Sequence, residues 1–443
     1  MDKHTNVVII GGGCSGCLVL ANLLRSAKQP IQMHLVERGA SLGEGVAYST
    51  KKNSHVLNVP SQGMSAFPDQ PKHLLEWLQA TGRNTNPLGF IARKDFAIYL
   101  RDTLEEAAKI GHASGASYQR HQAEAIDIVP DAQGWQVVLS NGDKLHAEQV
   151  VMASGIYLHD NQKRFIRNPW QIDFSQLNPR SNICLIGSGL SMVDMLFMLK
   201  EYSWTGKITV LAKNGAIPLA HRLASFSEPL AIDWQACHGL QEIFARFKQE
   251  LRGLASKKLS WHSLIDSFRP HTQKLWQSFS DTEKKRFLRL FGGQWDQHRH
   301  RIAPEVHSQI SELARDDFFT IHKAMVCDVS PKAHHVEVRF RQGGKEDVAC
   351  FDYAVSCVGL ESNYRRVKNP LIEQAFGRGL VQAGPLGRGI LANDLGQIIA
   401  PSGEVSRGLY TLGFPQAGRL FESIAVPEIR MQAKICAQAI LAQ

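Results

Sequence analysis

The sequence predicts an α/β protein in which one structural unit occurs twice. Residues 7–24 and 182–199 each read as a buried parallel strand, a glycine turn and a helix. Each of these strand-turn-helix segments is followed by a second strand and later by a meander of strands in which apolar and polar residues alternate. Each meander leads to a buried strand and a glycine, Gly155 in the first copy and Gly359 in the second. Both copies therefore predict the same fold of a parallel sheet flanked by helices.

The two copies differ in length, which predicts how the domains are arranged. With 443 residues, of which 44% are apolar, the chain is long for a single core. We predict that residues 1–165 begin a first domain, that 180–359 form a second domain inserted into it, and that 360–443 complete the first. A terminal helix is expected from near Val426. A helical insertion is expected at about 224–317, starting near Ala224.

Apolar residues recur at helical spacing in this insertion. We interpret the insertion as a helical cap over the second domain, because such stripes point toward a core rather than toward a polyanion. The stripes consist of Leu240, Ile243, Phe244, Phe247, Leu251, Leu264, Phe268, Leu275 and Phe279.

Gly11, Gly13 and Gly16 form a G-x-G-x-x-G pattern directly after the first strand. The first glycine permits a tight turn, the second lets the backbone approach a pyrophosphate, and the third lets helix and strand pack closely. Glu37 ends the next strand, where a carboxylate suits an unphosphorylated adenosine ribose. The pattern predicts a Rossmann-like site for FAD. Neighbouring candidate contacts are Cys14, Ser15 and Arg38.

Cys14 and Cys17 form a C-x-x-C pair, which is typical of redox dithiols. Their position favours a structural role, because they lie in the pyrophosphate loop and not beside the reactive ring of an extended FAD. Chemistry of the thioredoxin-reductase type therefore loses its main support.

The second glycine loop has Gly187 and Gly189, but Met192 occupies the third position. Its strand-loop-helix context still predicts a dinucleotide site. The end of the following strand offers Lys213 and no acid, which favours the 2′-phosphate of NADPH over NADH. Alternatively, Lys213 is a solvated surface lysine. Further candidate contacts are Leu190, Ser191 and Arg222.

Composition limits the remaining function classes. Fifty Lys and Arg against 41 Asp and Glu give a net charge of +9, and the scattered cations suit dinucleotide phosphates better than nucleic acid. We expect no secretory signal, no spanning helix and no disulfide framework among the eight Cys. The expectation is a cytoplasmic protein that binds neither nucleic acid nor membrane. Its oligomeric state is left open.

Longer patterns carry a family resemblance over nearly the whole chain. The sequence resembles a bacterial FAD/NAD(P)-binding protein family related to flavin-containing monooxygenases and amine N-hydroxylases. It departs from that family at Phe421 and Ile424, where Trp and Thr are expected, and it lacks the F-x-G-x-x-x-H pattern of the flavin-containing monooxygenases. The matching patterns are GEGVAYST (43–50), HVLNVPSQGMSAFPD (55–69), FLRLFGGQWDQHRHRIAPEV (287–306), GPLGRGI (384–390) and FESIAVPEIRMQA (421–433).

The resemblance implies an FAD-dependent, NADPH-consuming oxidoreductase. Our first hypothesis is a monooxygenase that oxygenates a small molecule, such as an amine, through a flavin hydroperoxide formed with molecular oxygen. The alternatives are an NAD(P)H-dependent flavin reductase that passes electrons to another acceptor, and a non-catalytic FAD-binding regulator. The resemblance places these residues near the flavin: Asn58, Val59, Met64, Ser65, Gly413, Phe414 and Glu422. Gly155 and Gly359, which end the two repeats, are further candidate cofactor contacts.

Three of the residues near the flavin are catalytic candidates. The Asn58 amide can hydrogen-bond a flavin edge or can instead cap a loop. Met64 follows in the same segment. Glu422 either touches the substrate or caps the terminal helix, and we favour capping.

The run His298, Arg299, His300 and Arg301 lies in the insertion. Metal binding is disfavoured, because no carboxylate–His or Cys–His set has ligand spacing. One Arg can contact a phosphate or an acidic substrate. The simplest interpretation is that the cations form salt bridges with acidic neighbours.

Overall fold

The computed structural model describes residues 5–157, 162, 164–223, 230–254, 256 and 259–443. None of its helices is both long and apolar enough to cross a membrane. The strands are β1 (Thr5–Ile10), β2 (Ile31–Val36), β3 (Ser117–His121), β4 (Ala125–Asp131), β5 (Gly134–Leu139), β6 (Lys144–Ala147), β7 (Gln149–Met152), β8 (Phe165–Ile166), β9 (Ile183–Ile186), β10 (Ile208–Ala212), β11 (Thr320–Lys323), β12 (Met325–Pro331), β13 (Val336–Gln342), β14 (Lys345–Phe351), β15 (Tyr353–Ser356), β16 (Gln397–Ile399) and β17 (Val405–Thr411). The helices are α1 (Cys14–Ser26), α2 (His73–Ala80), α3 (Arg93–His112), α4 (Leu190–Glu201), α5 (Gly239–Gly253), α6 (Trp261–Phe268), α7 (Thr272–Ser278), α8 (Asp281–Leu290), α9 (Gly292–Arg299), α10 (Pro304–Arg315), α11 (Pro370–Gly377) and α12 (Val426–Leu441).

The first sheet joins both ends of the chain. Its strand order is β16-β17-β7-β1-β2-β3, and every pair except β16–β17 is parallel. One hydrophobic core includes residues of α1, α3 and α12, and another lies on the opposite face and includes residues of α11. Because both faces are covered, the last four residues of β1 (Val7–Ile10) form a continuous apolar run, as is usual in parallel strands. Helix α12 begins at Val426, so the predicted start of the terminal helix is confirmed.

The second sheet comes from the middle of the chain. Its order is β11-β10-β9-β15-β8, with all pairs parallel. All of its strands lie between β7 and β16 of the first sheet, and the predicted α/β class with two dinucleotide-type sheets is confirmed. Residues Phe165–Ile166, at the edge of the predicted first segment, pair with β15 and so belong to the second sheet.

Each unit also carries a three-stranded antiparallel meander. The first meander is β4-β5-β6 and the second is β12-β13-β14. Both precede the last strand of their unit, β7 and β15. The internal repeat that the sequence predicts therefore extends beyond the glycine loops to the whole order of elements.

Helices α5 to α10 fall between residues 239 and 315. Helices α5 to α9 share a hydrophobic cluster of their own, whereas α10 packs into the core of the second sheet. The predicted first residue of the insertion, Ala224, lies outside the described residues. The stripe packs into that cluster as its spacing predicts, except at its outer positions. Leu251 is 43% exposed and Phe244 and Phe247 are half-buried, because they line a cavity.

The two units meet at a polar seam. Arg93, at the start of α3, donates to both carboxylate oxygens of Asp194 on α4 at 2.7 and 3.1 Å. Arg93 also donates through Nε to the carbonyl oxygen of Val56 at 3.2 Å. A bidentate pair between partly buried groups fixes orientation as well as distance. The seam therefore holds the two glycine loops in one relative position.

Candidate functional site

The first glycine loop, residues 11–16, is closed tightly enough to exclude side chains at two positions. A Cβ on Gly11, whose φ is 103°, would lie 2.4 Å from the carbonyl oxygen of Ala153. A Cβ on Gly16 would lie 1.8 Å from the carbonyl oxygen of Gly11. Helix α1 starts with Gly13 as its N-cap, without a capping side chain in the described chain. The N–H groups of its first turn thus suit the oxygens of a pyrophosphate.

Glu37 holds this loop from the end of β2. Its Oε2 accepts from the N–H of Gly12 and its Oε1 accepts from the N–H of Gly39, both at 2.7 Å. Each carboxylate oxygen can accept a further hydrogen bond, so the same side chain can hold a ribose hydroxyl. Arg38 is 69% exposed and lies 3.5 Å from Glu124. Its proposed contact with a cofactor remains a prediction.

The C-terminal segment closes against the first loop. Gly413 follows β17, has a φ of 75°, and donates its N–H to Oε1 of Gln432 at 2.8 Å. A Cβ on Gly413 would lie 2.9 Å from Oγ of Ser15. Gly155 follows β7, which lies between β1 and β17. The structure thus brings together at one sheet edge three predicted segments that are far apart in the sequence. Phe414 is buried beside them.

The segment from Asn58 to Ser65 begins at a contact between the two units and ends in the core of the first. The carbonyl oxygen of Asn58 accepts from Nε2 of His221 at 2.8 Å, and Val59 is partly buried against the first core. Met64 and Ser65 are buried, and the Ser65 carbonyl accepts from the Arg430 guanidinium at 3.0 Å. These contacts fix the segment, while its contact with a flavin remains a prediction.

Sequence reasoning missed His221, whose role depends on a tertiary contact. Burial lowers the pKa of His221 to about 4, so the ring is neutral at neutral pH. Because its partner is a carbonyl oxygen, Nε2 must carry the proton. No local pattern around residue 221 indicates that partner, which lies 163 residues away.

The second glycine loop is built more loosely than the first. A Cβ on Gly187, whose φ is 99°, would lie 2.8 Å from the carbonyl oxygen of Cys357. A Cβ on Gly189 would meet nothing within 4 Å in the described chain. Gly189 is the N-cap of α4, with Leu190 first in the helix and Ser191 next. Met192 is fully buried in the core, so this helix start accommodates a large side chain where the first loop needs glycine.

Two lysines lie at the carboxyl ends of β10 and β11, on the same side of the second sheet as the second glycine loop. Lys213 follows β10 and is exposed. Lys323 ends β11 and is also exposed, and β11 pairs with β10 so that Lys323 lies opposite Ala212. Sequence reasoning missed Lys323, because only the pairing of two distant strands places it beside Lys213. Arg222 is exposed and makes an interaction of its own, and Gly359 is exposed beyond β15.

The C-x-x-C pair has the environment of structural cysteines. Burial raises the pKa of Cys17 to about 12 and raises that of Cys14 as well. The Cys17 thiol donates to the carbonyl oxygen of Gly12 at 3.2 Å. Thiols with raised pKa values supply little thiolate, which is the reactive form.

The preference for Glu422 as a helix cap is wrong. Helix α12 has Ala425 as its N-cap, and no side chain caps it in the described chain. The buried Glu422 carboxylate instead accepts from Nε1 of Trp295 at 2.7 Å and from Nε of Arg299 at 3.0 Å. Glu422 also has a φ of 62°, which is uncommon for a residue with a side chain and is concentrated at functional sites.

The salt-bridge interpretation of the basic run is confirmed. Arg299 pairs with Glu422, Arg301 pairs with Asp266, and His300 lies 3.7 Å from Asp296. His298 bonds its own helix backbone through Nδ1. The four side chains therefore have different partners. Only His298 and Arg299 belong to α9, which ends at Arg299, so the expectation that all four are helix neighbours is wrong.

Arg301 has two buried hydrogen-bond donors without a partner in the described residues. Its side chain is 1% exposed, yet Nε and one terminal nitrogen find no partner in the described part of the chain. Nε of Arg388 and one terminal nitrogen of Arg269 are also buried without a hydrogen-bond partner in the described residues. Buried donors are nearly always satisfied, so these three arginines have the chemistry to receive an anion.

Comparison with known proteins supports the same interpretation of the first loop. Residues 8–157 match the model of a family described as FAD-NAD(P)-binding. A curated relative, nitrosuccinic acid synthase from Aspergillus oryzae, is 25% identical over 231 residues. That match covers 44% of this chain but only 35% of the relative.

Two solved structures share the fold over the whole chain. Ornithine N-hydroxylase from Kutzneria sp. 744, solved with reduced FAD, NADP⁺ and L-ornithine, has a TM-score of 0.68 at 14% identity, covering 99% of both chains. L-lysine 6-monooxygenase from Pseudomonas syringae has a TM-score of 0.65 at 14% identity, also covering 99% of both chains.

The chain therefore shares its two-sheet fold with the ornithine N-hydroxylase and the L-lysine 6-monooxygenase. Residues 8–157 are the part of the chain that matches the FAD-NAD(P)-binding family model. The family resemblance stated from the sequence is thereby confirmed.

Proposed function

We propose that this protein is an FAD-dependent, NADPH-consuming monooxygenase that oxygenates the amine of a small molecule. The observation that carries the proposal is the pair of glycine loops, each at the carboxyl end of its own parallel sheet and locked together by Arg93 and Asp194. Two dinucleotide sites in one rigid arrangement are what hydride transfer between a nicotinamide and a flavin requires. The shared fold of two N-hydroxylases supports the choice of reaction.

FAD fits the first loop. The close contacts at Gly11 and Gly16 form a cradle that a Cβ would fill, and the uncapped start of α1 suits its pyrophosphate. Glu37 is placed for the ribose. When bound, FAD accepts hydride and supplies the oxygen chemistry. The protein's part is to hold it, and Asn58, Met64 and Gly413 are the residues we assign to the flavin end.

NADPH fits the second loop. The open space at Gly189 allows the pyrophosphate to approach the start of α4. The two exposed lysines, Lys213 and Lys323, lie where an adenosine 2′-phosphate would need cations. This assignment explains why the second loop ends in basic residues and the first in Glu37.

The proposed substrate is an amine that carries a carboxylate. Arg301, Arg388 and Arg269 each have a buried guanidinium nitrogen without a partner in the described residues, and Arg269 also pairs with Glu428 in the segment 418–430. Nitrosuccinic acid, for which the curated relative is named, is a dicarboxylate with an oxidised nitrogen. In this proposal the arginines orient the carboxylate, and the pair of Glu422 and Arg299 holds the loop beside it.

The alternative is an NAD(P)H-dependent flavin reductase that passes electrons to another acceptor. We disfavour electron transfer to a disulfide formed by Cys14 and Cys17. Burial raises the pKa values of both thiols, and both residues belong to the pyrophosphate loop. An external acceptor such as a quinone stays compatible with the same two loops.

One experiment separates the two functions. The purified protein with FAD is supplied with NADPH, oxygen and one amine at a time, including L-ornithine, L-lysine and aspartate, which is aminosuccinic acid. A monooxygenase gives a product heavier by oxygen in proportion to the NADPH consumed, with little hydrogen peroxide. Electron transfer to a quinone without any oxygenated amine would instead establish the reductase.

A further inference from the structure

A large apolar cavity, here called the aromatic cavity, lies inside the helical insertion. Its volume is about 300 Å³. Seven Phe and three Trp side chains contribute to its wall, together with five Leu and Ile. No Lys, Arg, Asp or Glu is among the described residues that line it. The ligand that such a wall favours is uncharged and apolar, because a charge would lose its hydration without gaining a partner.

The size of the aromatic cavity argues that it is filled when the protein functions. An apolar cavity of about 150 Å³ stays dry and binds benzene, and this one is twice as large. An apolar wall of this extent in contact with water is unfavourable, and a bound apolar ligand would remove that contact. The opening is marked by Leu251, which is 43% exposed, so a ligand has a route of entry.

The polar groups in the wall do not call for a polar ligand. The Thr272 hydroxyl donates to the carbonyl oxygen of Phe268 at 2.9 Å. Nδ1 of His298 bonds the carbonyl oxygen of Gln294 at 2.8 Å. The Thr272 hydroxyl and Nδ1 of His298 are thus bonded within their own helices, and Gln294 is exposed. Affinity would come from apolar contact and ring packing.

The aromatic cavity lies close to the Arg301 guanidinium, but no arginine is among the described residues that line it. Trp261 lies in its wall, and the Arg301 guanidinium sits over that ring at 5.9 Å. Trp295 also lines it and donates to Glu422. Phe421 stacks on Trp276 with ring centroids 4.7 Å apart. The wall thus isolates the apolar space from the charges while touching the segment that holds them.

We propose that the aromatic cavity is a binding site for an uncharged aromatic organic molecule, distinct from the two dinucleotide sites. Walls of flat rings select a flat apolar ligand by stacking and edge contacts. The site does not depend on the proposed oxidation chemistry, since binding there needs neither NADPH nor oxygen.

The probe for this site is N-phenyl-1-naphthylamine, which is uncharged and becomes more fluorescent in apolar surroundings. It is titrated into the full-length protein without NADPH, and quenching of the wall tryptophans is followed in parallel. Uncharged toluene should displace it, and benzoate should not. No binding up to the solubility limit of the probe, or equal displacement by benzoate, would overturn the proposal.

Matched variants place the probe. Ile243→Trp adds an indole to the cavity wall, whereas Ala245→Trp adds the same group on the exposed face of α5. We expect Ile243→Trp to weaken probe binding at least about tenfold by filling the space, and Ala245→Trp to leave it unchanged. Equal effects of the two variants would contradict the site.

Two further measurements guard against a folding defect or a second occupant. Leu251→Trp changes the exposed mouth, where the fold tolerates bulk, and should also weaken binding. Saturating probe should raise the Tm of the natural protein but not of Ile243→Trp. If Ile243→Trp instead dissociates a dimer, a second copy covers the cavity and the small-molecule proposal is wrong.

Discussion

The two glycine loops have the same order of elements but different tolerances for side chains. In the first loop a Cβ on Gly16 would overlap the backbone at 1.8 Å, whereas the matching position of the second loop is the buried Met192. The first helix therefore packs directly against its own loop, and the second stands far enough away to admit a long side chain. A cofactor that is held permanently suits the tight loop, and one that exchanges each turnover suits the loose loop.

The largest expected effect comes from Gly16→Ala. The added methyl group collides with a backbone carbonyl that cannot rotate away, so helix α1 must shift. We expect loss of bound FAD and a fall in the free energy of unfolding on the order of 3 kcal/mol or more. Flavin absorbance per protein and urea unfolding measure the two effects. Gly189→Ala, which meets no described atom within 4 Å, is the control and should unfold like the natural protein.

The second prediction concerns the two lysines beside the loose loop. The double variant Lys213→Ala with Lys323→Ala should reduce the preference for NADPH over NADH roughly a hundredfold, because two charge-assisted phosphate contacts are lost. Lys213→Ala alone should reduce it by roughly tens of fold. Flavin reduction rates with each nucleotide provide the ratio. Lys200→Ala, an exposed lysine at the end of α4, is the control.

Glu37→Ala provides the opposite control, since it should weaken FAD retention without altering the nucleotide preference. An unchanged preference in the double variant would return both lysines to the role of solvated surface residues.

The third prediction concerns His221, which bonds the Asn58 carbonyl oxygen across the contact between the two units. The pKa of His221 is lowered to about 4 in the folded protein, against about 6.5 when unfolded. The unfolded chain therefore binds the proton more readily, so this stabilisation is full above about pH 6.5 and is lost as the pH falls toward 4. Between pH 7.5 and 5 the loss should be about 2 kcal/mol.

Urea unfolding at both pH values measures that loss, and His221→Gln should remove this part of it while keeping a donor for the Asn58 carbonyl. Because other buried histidines also titrate, the difference between the two proteins is the meaningful quantity. The same acid sensitivity in both would show that His221 is not its source.

The smallest expected effect is on nucleotide binding by Gly189→Ala. Its methyl group would occupy the space assigned to the NADPH pyrophosphate, so the Kd for NADPH should rise about tenfold while FAD stays bound. Titration of the oxidised protein with NADP⁺ checks this directly. If the affinity for NADP⁺ is unaltered, the nucleotide does not bind at Gly189. The difference between the two glycine loops would then not reflect which cofactor each one holds.

The sequence by itself determined the features that depend on local chemistry. Strand-loop-helix order, the glycines at 11, 16 and 187 and the start of α12 at Val426 follow from backbone sterics and apolar periodicity, which act over a few residues. The internal repeat then predicted two sheets of the same kind. The salt-bridge role of the run from His298 to Arg301 was also accessible from its residue types, although only the structure shows that α9 ends at Arg299.

Only the tertiary structure decided which distant groups meet. Glu422 reads locally as a helix cap, but its carboxylate bonds Trp295 and Arg299, which lie 127 and 123 residues away. Lys323 becomes a partner of Lys213 through strand pairing, and the apolar stripe of α5 lines a cavity rather than a filled core. Periodicity indicates which face of a helix turns inward, but it carries no information on whether the space behind that face is filled. That depends on the volumes and positions of side chains from several other helices.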